Sequence, residues 1–279
     1  MPDSDLCLYE LRGRTALLTL NRARYRNAQS YPLLDALDEQ LDRAMADPEV
    51  SVAVVQGAGD HFSSGHDLGT ADQRAVLAEL GLALGAKMEQ GLRYYDVFRH
   101  YNLDLTVKWR NLKKPTIAMV RGYCIFGGWM IATAMDLIFA SDDARFLASQ
   151  FEYFSVPWDI HPRKAKELVF ESRFLSAEEA RAEGLVNRVY GGDELERETL
   201  AYAGRVAEND PEVLRLSKLA INKAQDQQGY SVGVEAAFAD YLVTAQSRGN
   251  ARVDGVARLT GVDLALRGER GERPGLTEK

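Results

Sequence analysis

The sequence predicts an α/β fold built on a parallel sheet, and three observations carry that expectation. Val52-Ala53-Val54-Val55-Gln56-Gly57 is an apolar run closed by glycine, the pattern of a strand buried on both faces. Leucines at 33, 34, 37 and 41 fall on one face of a helix over Pro32 to Ala46. The two types alternate along the chain, which implies βαβ units with crossover helices. Taken in order, Thr15–Leu20 is a strand, followed by the helix from Pro32 and the strand from Val52. One or two helices are expected between Ala83 and Arg110, in text that is long, charged and aromatic. Pro115 starts the strand Thr116–Val120, a helix begins at Gly127, and Leu137–Ala140 is the next strand. Ser176-Ala177-Glu178-Glu179 reads as a capping box for a helix stopping near Gly184, before a short strand Leu185–Tyr190. Leu195 to Gln246 is helical throughout, with Asp210-Pro211 as one helix start. The division expected is a core over 1–195, a helical region over 196–248 and a tail over 249–279. The Gly- and Arg-rich tail is expected to be mobile or ordered by a partner subunit.

Composition narrows the class. Of 279 residues, 46% are hydrophobic and 27% charged, a globular balance. The formal net charge of −7 argues against nucleic acid as a partner. No run is long and apolar enough for a membrane span, and the acidic start Met1-Pro2-Asp3-Ser4-Asp5 is unlike a signal peptide, so a cytoplasmic location is the expectation. Cys7 and Cys124 match neither a disulfide framework nor a metal-site spacing and are expected to be unpaired thiols.

The stretch from Gly122 to Asp136, GYCIFGGWMIATAMD, places two glycines where an apolar helix opens. The first N–H groups of a helix lack partners within it, and the helix dipole adds partial positive charge there. Bare backbone at that point admits an anion, or a carbonyl oxygen that becomes one. Close packing of helix on sheet is the other reading of the pair. A second small-residue turn, His61-Phe62-Ser63-Ser64-Gly65-His66-Asp67-Leu68-Gly69, follows the strand Val52–Val55. Ligands gather at such strand ends, and one donor from each turn would make an oxyanion hole.

Four motifs then carry a resemblance. LNRARYRNAQS, HFSSGHDL, KPTIAMVRGYCIFGGWMIATAMDLIFAS and LSAEEARAEGLVNRVY together resemble, in order and spacing, the crotonase (enoyl-CoA hydratase/isomerase) superfamily, over roughly Leu17 to Ala245. The resemblance implies a crotonase-like spiral of ββα units with a C-terminal helical trimerisation region, assembled as a homotrimer or a dimer of trimers. It implies an acyl-CoA substrate, coenzyme A entering as part of that substrate, and no permanently bound cofactor or metal. The oxyanion donors would be the backbone N–H groups of His66 and Gly127. Ser64 would meet the adenine through its carbonyl, with Gly65, Asp67 and Phe126 in the same motifs. Arg22, Arg24 and Arg26 form a basic cluster suited to a phosphate, or a solvated turn; Lys218 and Lys223 are weaker candidates.

The sequence also departs from the family. Two glutamates do the proton work in its hydratases, and their positions here are Met130 and Gln150; Pro157 falls where the family's proline does and supports that register. The segment WDIHPRKAKELVF is shorter than its family counterpart. Asp159 is the first choice for a replacement base or nucleophile, since an aspartate close to this point acts on substrate in some relatives. His161 could tune it, although Asp159 or His161 before Pro162 also suits a helix cap. Glu152 is a further candidate, or a surface carboxylate. Tyr94, Tyr95, His100, Tyr101 and Trp109 pack the core or line an acyl pocket, and Trp129 and Met130 would make that pocket apolar. The function this implies is acyl-CoA processing of the enoyl-CoA hydratase/isomerase type, on a bulky or cyclic acyl group. A ring-opening C–C hydrolase and a non-catalytic acyl-CoA-binding relative are the alternatives.

Overall fold

The computed structural model describes residues 6–83, 91–148, 152–247, 252–253, 256–257 and 260–272. Its first hairpin pairs β1 (Cys7–Arg12) antiparallel with β2 (Thr15–Leu20). From β2 the main sheet runs parallel through β3 (Val52–Gly57), β4 (Thr116–Val120), β6 (Leu137–Ser141) and β9 (Arg188–Tyr190). A three-stranded sheet joins β5 (Tyr123–Ile125), β7 (Arg145–Leu147) and β8 (Leu175–Ser176). Strands of the main sheet lead into strands of the smaller one and then into a helix. β4, β5 and α5 (Gly127–Ala134) form one such turn of a spiral. The chain after β3 joins the same layer through the isolated parallel bridges Ser63–Cys124 and Gln29–His66.

The main strands read as continuous apolar runs because both faces are covered. Leu18, Val55, Ala118 and Ile138 point into the larger core, against α1 (Tyr31–Ala46) and α5. Their neighbours Leu17, Val54, Ile117 and Phe139 point the other way, onto Leu195 and Ala203 of α9 (Leu195–Val206). That is the period-two alternation of a strand with two apolar faces. α1 begins at Ser30, whose side chain accepts from Leu33 N, and buries Leu33, Leu34, Leu37 and Leu41. The box at Ser176 opens α8 (Ala177–Ala182) with both reciprocal bonds formed. Asp210 caps α10 (Pro211–Gln227), and α11 (Tyr230–Ser247) folds back beside it. Cys7 and Cys124 are free and buried.

Several elements differ from the sequence reading. The strand expected over Leu185–Tyr190 is confined to Arg188–Tyr190. Its first residues are used elsewhere, Leu185 and Val186 in the core and Asn187 in bonds to Ile138. After α2 (Ala71–Glu79), the one or two helices expected between Ala83 and Arg110 are present as α3 (Gly91–Arg99) and α4 (Leu105–Arg110), joined by a π-helical turn, His100–Asp104. The tail, expected to be mobile or ordered by a partner, contains α12 (Gly261–Glu269), capped by Thr260 and Asp263. Ala265 of α12 is 1% exposed, in a cluster with Ile125, Leu147 and Phe174 of this same chain.

One polar network fixes the turn after β3 relative to the turn after β2. Arg22 Nη1 donates to Asp67 Oδ2 at 2.9 Å and to Ala28 O; Nη2 reaches Thr70 Oγ1 and Asp72 Oδ2. The two paired side chains are 3% and 1% exposed. Asp67 also accepts from the N–H groups of Gly69 and Thr70 and from the Thr70 hydroxyl. Burial works against the ionised carboxyl, but the Thr70, Gly69 and Arg22 bonds outweigh it and hold Asp67 below its ordinary value. Arg22 and Asp67 are therefore spent on each other, and the expectation that they contact coenzyme A gives way to a structural role. Replacing one partner of such a buried pair leaves an uncompensated charge, typically costing about 3–5 kcal/mol. Arg22→Met should lose stability on that scale in urea denaturation. The part carried by Asp67 is present above the pKa of an unfolded aspartate, near 4. It is lost as pH falls through the lower folded value, so the gap between Arg22→Met and the parent should narrow in acid.

Candidate active site

The two turns meet at the C-terminal ends of β3 and β4, and backbone brings them together. Gly65 has φ +89°, a conformation open to glycine, and a Cβ there would lie 2.8 Å from Ile125 O and 3.4 Å from Gly127 N. On Gly127 a Cβ would overlap Gln29 Oε1 and sit 3.0 Å from His66 Cε1; on Gly128 it would sit 2.8 Å from Ser63 O. Close packing, one of the two readings of the glycine pair, is therefore present, and it leaves the backbone at Gly127 without a side chain.

The N–H groups of His66 and Gly127 are free to serve such a purpose. In the Gln29–His66 bridge, Gln29 N donates to Gly65 O at 2.8 Å and Asp67 N to Gln29 O at 3.0 Å. A parallel bridge of this kind uses the amides flanking His66 and turns its own N–H to the opposite side. Gly127 opens α5, where an N–H has no partner within the helix. Neither N–H donates to a described residue. Each follows a residue at positive φ: Gly65, and Phe126 at φ +44° and ψ −100°. A non-glycine residue held there stores about 1–3 kcal/mol. Phe126 is kept in place by its N–H on Leu147 O and by its ring in the cluster under α12.

Beside these donors stands a pair that the sequence left apart. His66 Nε2 and Glu152 Oε2 are 3.0 Å from each other, with Glu152 8% exposed and the His66 side chain 22%. Burial alone would lower the imidazole's pKa; the Glu152 carboxylate more than offsets that and raises it. Glu152 in turn acts on two tyrosines. Tyr94 is raised by burial and then by Glu152, and Tyr31 is pushed up to about 12 by burial, with Tyr94 and Glu152 adding to it. Tyr94 belonged to the aromatic run noted in the sequence. Tyr31 had no signal of its own, because it reaches the site through the direction of α1 and its stack on Tyr101 at 3.8 Å.

The other expected residues divide sharply. Ser64 is half-buried, its N–H on Arg26 O and its hydroxyl on Tyr25 O. Arg24 and Arg26 are exposed near this turn. Gln150 lies outside the described residues. Met130 is buried among Leu103, Tyr153, Tyr230, Val234 and Phe238, so it packs α11 on α5. Trp129 is wholly buried and does not line a pocket at the donors; its indole N–H goes to Asp159 Oδ2 at 2.9 Å. Asp159 also accepts from Ser155 Oγ at 2.6 Å, and Ser155 Oγ is 3.0 Å from the Thr133 hydroxyl. Thr133 lies six residues along α5 from the donor glycine, about 9 Å at the helical rise. Asp159 lines a cavity of about 560 Å³ at that far end, with Thr133, Asp136, Trp158, Lys218 and Tyr230. The structure thus sets Asp159 apart from the donors, contrary to its place as first choice for the base. His161 is an exposed cap, its Nδ1 accepting from Arg163 N. Lys218 is fastened to Asp136 at 2.8 Å and to Lys114 O, where β6 and β4 begin, at the opposite end of the strands from His66.

Burial raises the Asp159 carboxyl to about 6, against the lowering effect of its Ser155 and Trp129 bonds. A raised folded value means that Asp159 favours the fold below the unfolded pKa, near 4, and loses this contribution as pH rises through about 6. Asp159→Asn should therefore gain about 2 kcal/mol relative to the parent between pH 4 and pH 7.5. Thermal melts across that range measure it, and turnover of the variant should stay within a few-fold of the parent.

Comparison with known proteins identifies the family. The profile of the enoyl-CoA hydratase/isomerase family matches residues 11–248. A Mycobacterium tuberculosis protein that carries an enoyl-CoA hydratase name is 35% identical over 244 residues, covering 81% of this chain and 76% of its own. The short-chain-enoyl-CoA hydratase of Clostridium acetobutylicum is 30% identical, with 77% and 80% covered. A crystal structure described as an enoyl-CoA hydratase from Mycobacterium smegmatis superposes with a TM-score of 0.77 at 36% identity, over 89% of this chain and 97% of that one. An enoyl-CoA hydratase/isomerase from Xanthobacter autotrophicus Py2 gives 0.75 at 29% identity, over 97% and 94%. With the spiral and these relatives in agreement, the chain belongs to the enoyl-CoA hydratase/isomerase family, within the crotonase superfamily.

Proposed function

We propose that this protein binds an acyl-CoA thioester and passes it through an enolate, with the thioester oxygen held by the backbone N–H groups of His66 and Gly127. One observation carries the reading. Two otherwise unused amide donors, each following a residue at positive φ, belong to turns whose backbones touch at Gly65 and Gly127. Donors aimed at an oxygen that gains charge lower the barrier by several kcal/mol for each donor retained, and they need no reorganisation as the charge develops. The relatives named as enoyl-CoA hydratases support the substrate class.

The reaction differs from hydration by two opposed glutamates, because Met130 takes one of those positions and packs the core. Tyr31 and Tyr94 near Glu152 favour a bulky or cyclic acyl group over a short straight one, since flat apolar faces reward flat apolar ligands. The coenzyme's phosphates fall to Arg24 and Arg26, the two exposed members of the first basic cluster. The chain is further read as a homotrimer or a dimer of trimers, like the family it belongs to.

Affinity for acyl-CoA should depend on the carbonyl. A thioether analogue with the same acyl carbons and no carbonyl oxygen should bind at least tenfold more weakly than the thioester, as read by calorimetry; equal affinity rejects the oxyanion reading. Arg24→Ala with Arg26→Ala should weaken acyl-CoA binding about tenfold, or about 1.4 kcal/mol. The loss should shrink at high salt, where exposed charges are screened. A pantetheine thioester lacking the phosphates should bind both forms alike.

A further inference from the structure

Resting on the acyl-CoA reading above, we propose that His66 serves the site twice, its backbone N–H holding the thioester oxygen and its imidazole carrying the proton, with Glu152 fixing the ring. The family positions for proton transfer offer a buried Met130 and an amide at Gln150, so another group must act if chemistry occurs. Asp159 is engaged with Trp129 and Ser155 toward the far end of α5. The imidazole is the titratable group that the geometry puts against the donor glycine, with Cε1 3.0 Å from where a Gly127 side chain would start.

Glu152 determines which nitrogen works. It occupies Nε2 at 3.0 Å, so the neutral ring donates Nε2–H to the carboxylate and presents the lone pair of Nδ1. No described residue bonds to Nδ1. The step is a proton transfer with no oxidation. The α C–H bond breaks and its proton goes to Nδ1. The C–H electron pair becomes the carbon–carbon double bond of the enolate, and the carbonyl π pair moves onto oxygen, between the His66 and Gly127 N–H groups. The imidazolium so formed lies against the Glu152 carboxylate, which stabilises the charge. Return of the proton, or of a deuteron from solvent, to carbon restores the starting state. Tyr31 of α1 and Tyr94 of α3 lie within the influence of the Glu152 charge and stay protonated, which leaves the carboxylate as the charge acting on the ring.

The arrangement also makes the pair separable by mutation. Every substitution at 66 except proline keeps the backbone donor, so His66→Ala removes the proton carrier and spares the oxyanion contact. In D2O, with a panel from butyryl-CoA to phenylacetyl-CoA, the wild type should exchange α-protons with solvent. His66→Ala should lose at least about a hundredfold in that rate, keep its acyl-CoA Kd within threefold, and regain exchange when imidazole is added to the buffer. His66→Gln, which can still bond Glu152, should behave like the alanine variant and stands in for it if the alanine variant melts early. Glu152→Gln tests the positioning role. The midpoint of the rising pH–rate limb, and of the His66 ring titration seen by NMR, should both fall, because the carboxylate that raises the imidazole is gone. Full exchange in both His66 variants, or an unmoved titration in Glu152→Gln, overturns the proposal. Absence of exchange in the wild type, together with equal binding of thioester and thioether, instead overturns the acyl-CoA reading on which it rests.

Discussion

Everything at the site depends on two stretches of backbone touching with no side chain between them. Gly65 lies against Ile125 O and Gly127 N, Gly127 against Gln29, and Gly128 against Ser63 O. A methyl group at any of these points would lie well inside van der Waals contact and force its neighbours apart by up to about 1 Å, displacing the two N–H groups that the proposed function requires. Burial of the polar groups around them makes the contact rigid. Ser63 Oγ donates to Asn27 O and accepts from Gln29 Nε2 and Gly65 N, and Asn27 Nδ2 donates to Ala58 O and His61 O. All of these bonds except that of Gly65 N, which is local to its turn, tie the loop after β2 to the turn after β3. In a buried setting an unmade bond costs about 1–3 kcal/mol, so the network has little freedom to loosen.

This division of labour explains which parts of the molecule were legible in the sequence. The parallel strands were readable because burial on both faces leaves an uninterrupted apolar run, as in Val52–Val55. The caps at Ser176 and Asp210 were readable because capping is local chemistry between residues three positions apart. The close approach of the two turns was readable because glycine pairs mark backbone that must stay bare, and the four motifs supplied its register. The short strands β5, β7 and β8 were not readable: two or three residues carry no period, and their pairing is decided by the layer they join. Nor was α12, whose Gly- and Arg-rich surroundings mask an apolar face that buries Ala265.

Within the site, the failure has one physical source. Sequence separation hides any pair that meets only in three dimensions. His66 and Glu152 are 86 positions apart, and neither has a neighbour in the chain that announces the other. Asp159 had the opposite fault, since its place in an altered segment suggested chemistry while its side chain is drawn toward Trp129 and Ser155. The basic cluster divided in the same way. Arg22 turned inward to Asp67 because a buried carboxylate needs a partner, whereas Arg24, paired with the exposed Asp72 at 3.7 Å, and Arg26 remained outside.

Met130 then acquires a positive explanation. A carboxylate at that position would sit among Leu103, Tyr153, Tyr230, Val234 and Phe238, where nothing in the cluster supplies a counter-charge. Methionine suits the irregular space and lets α11 close on α5 through Tyr230, Val234 and Phe238. With α5 held in that packing, its first turn and Gly127 are fixed from behind by apolar contact and from the front by the turn carrying His66. In the proposed chemistry the proton is carried outside α5, by His66 against Glu152, and the helix serves as a structural support for its own N-terminus. Met130 then belongs to the packing that holds this support in place, which is a role an unpaired carboxylate could not fill.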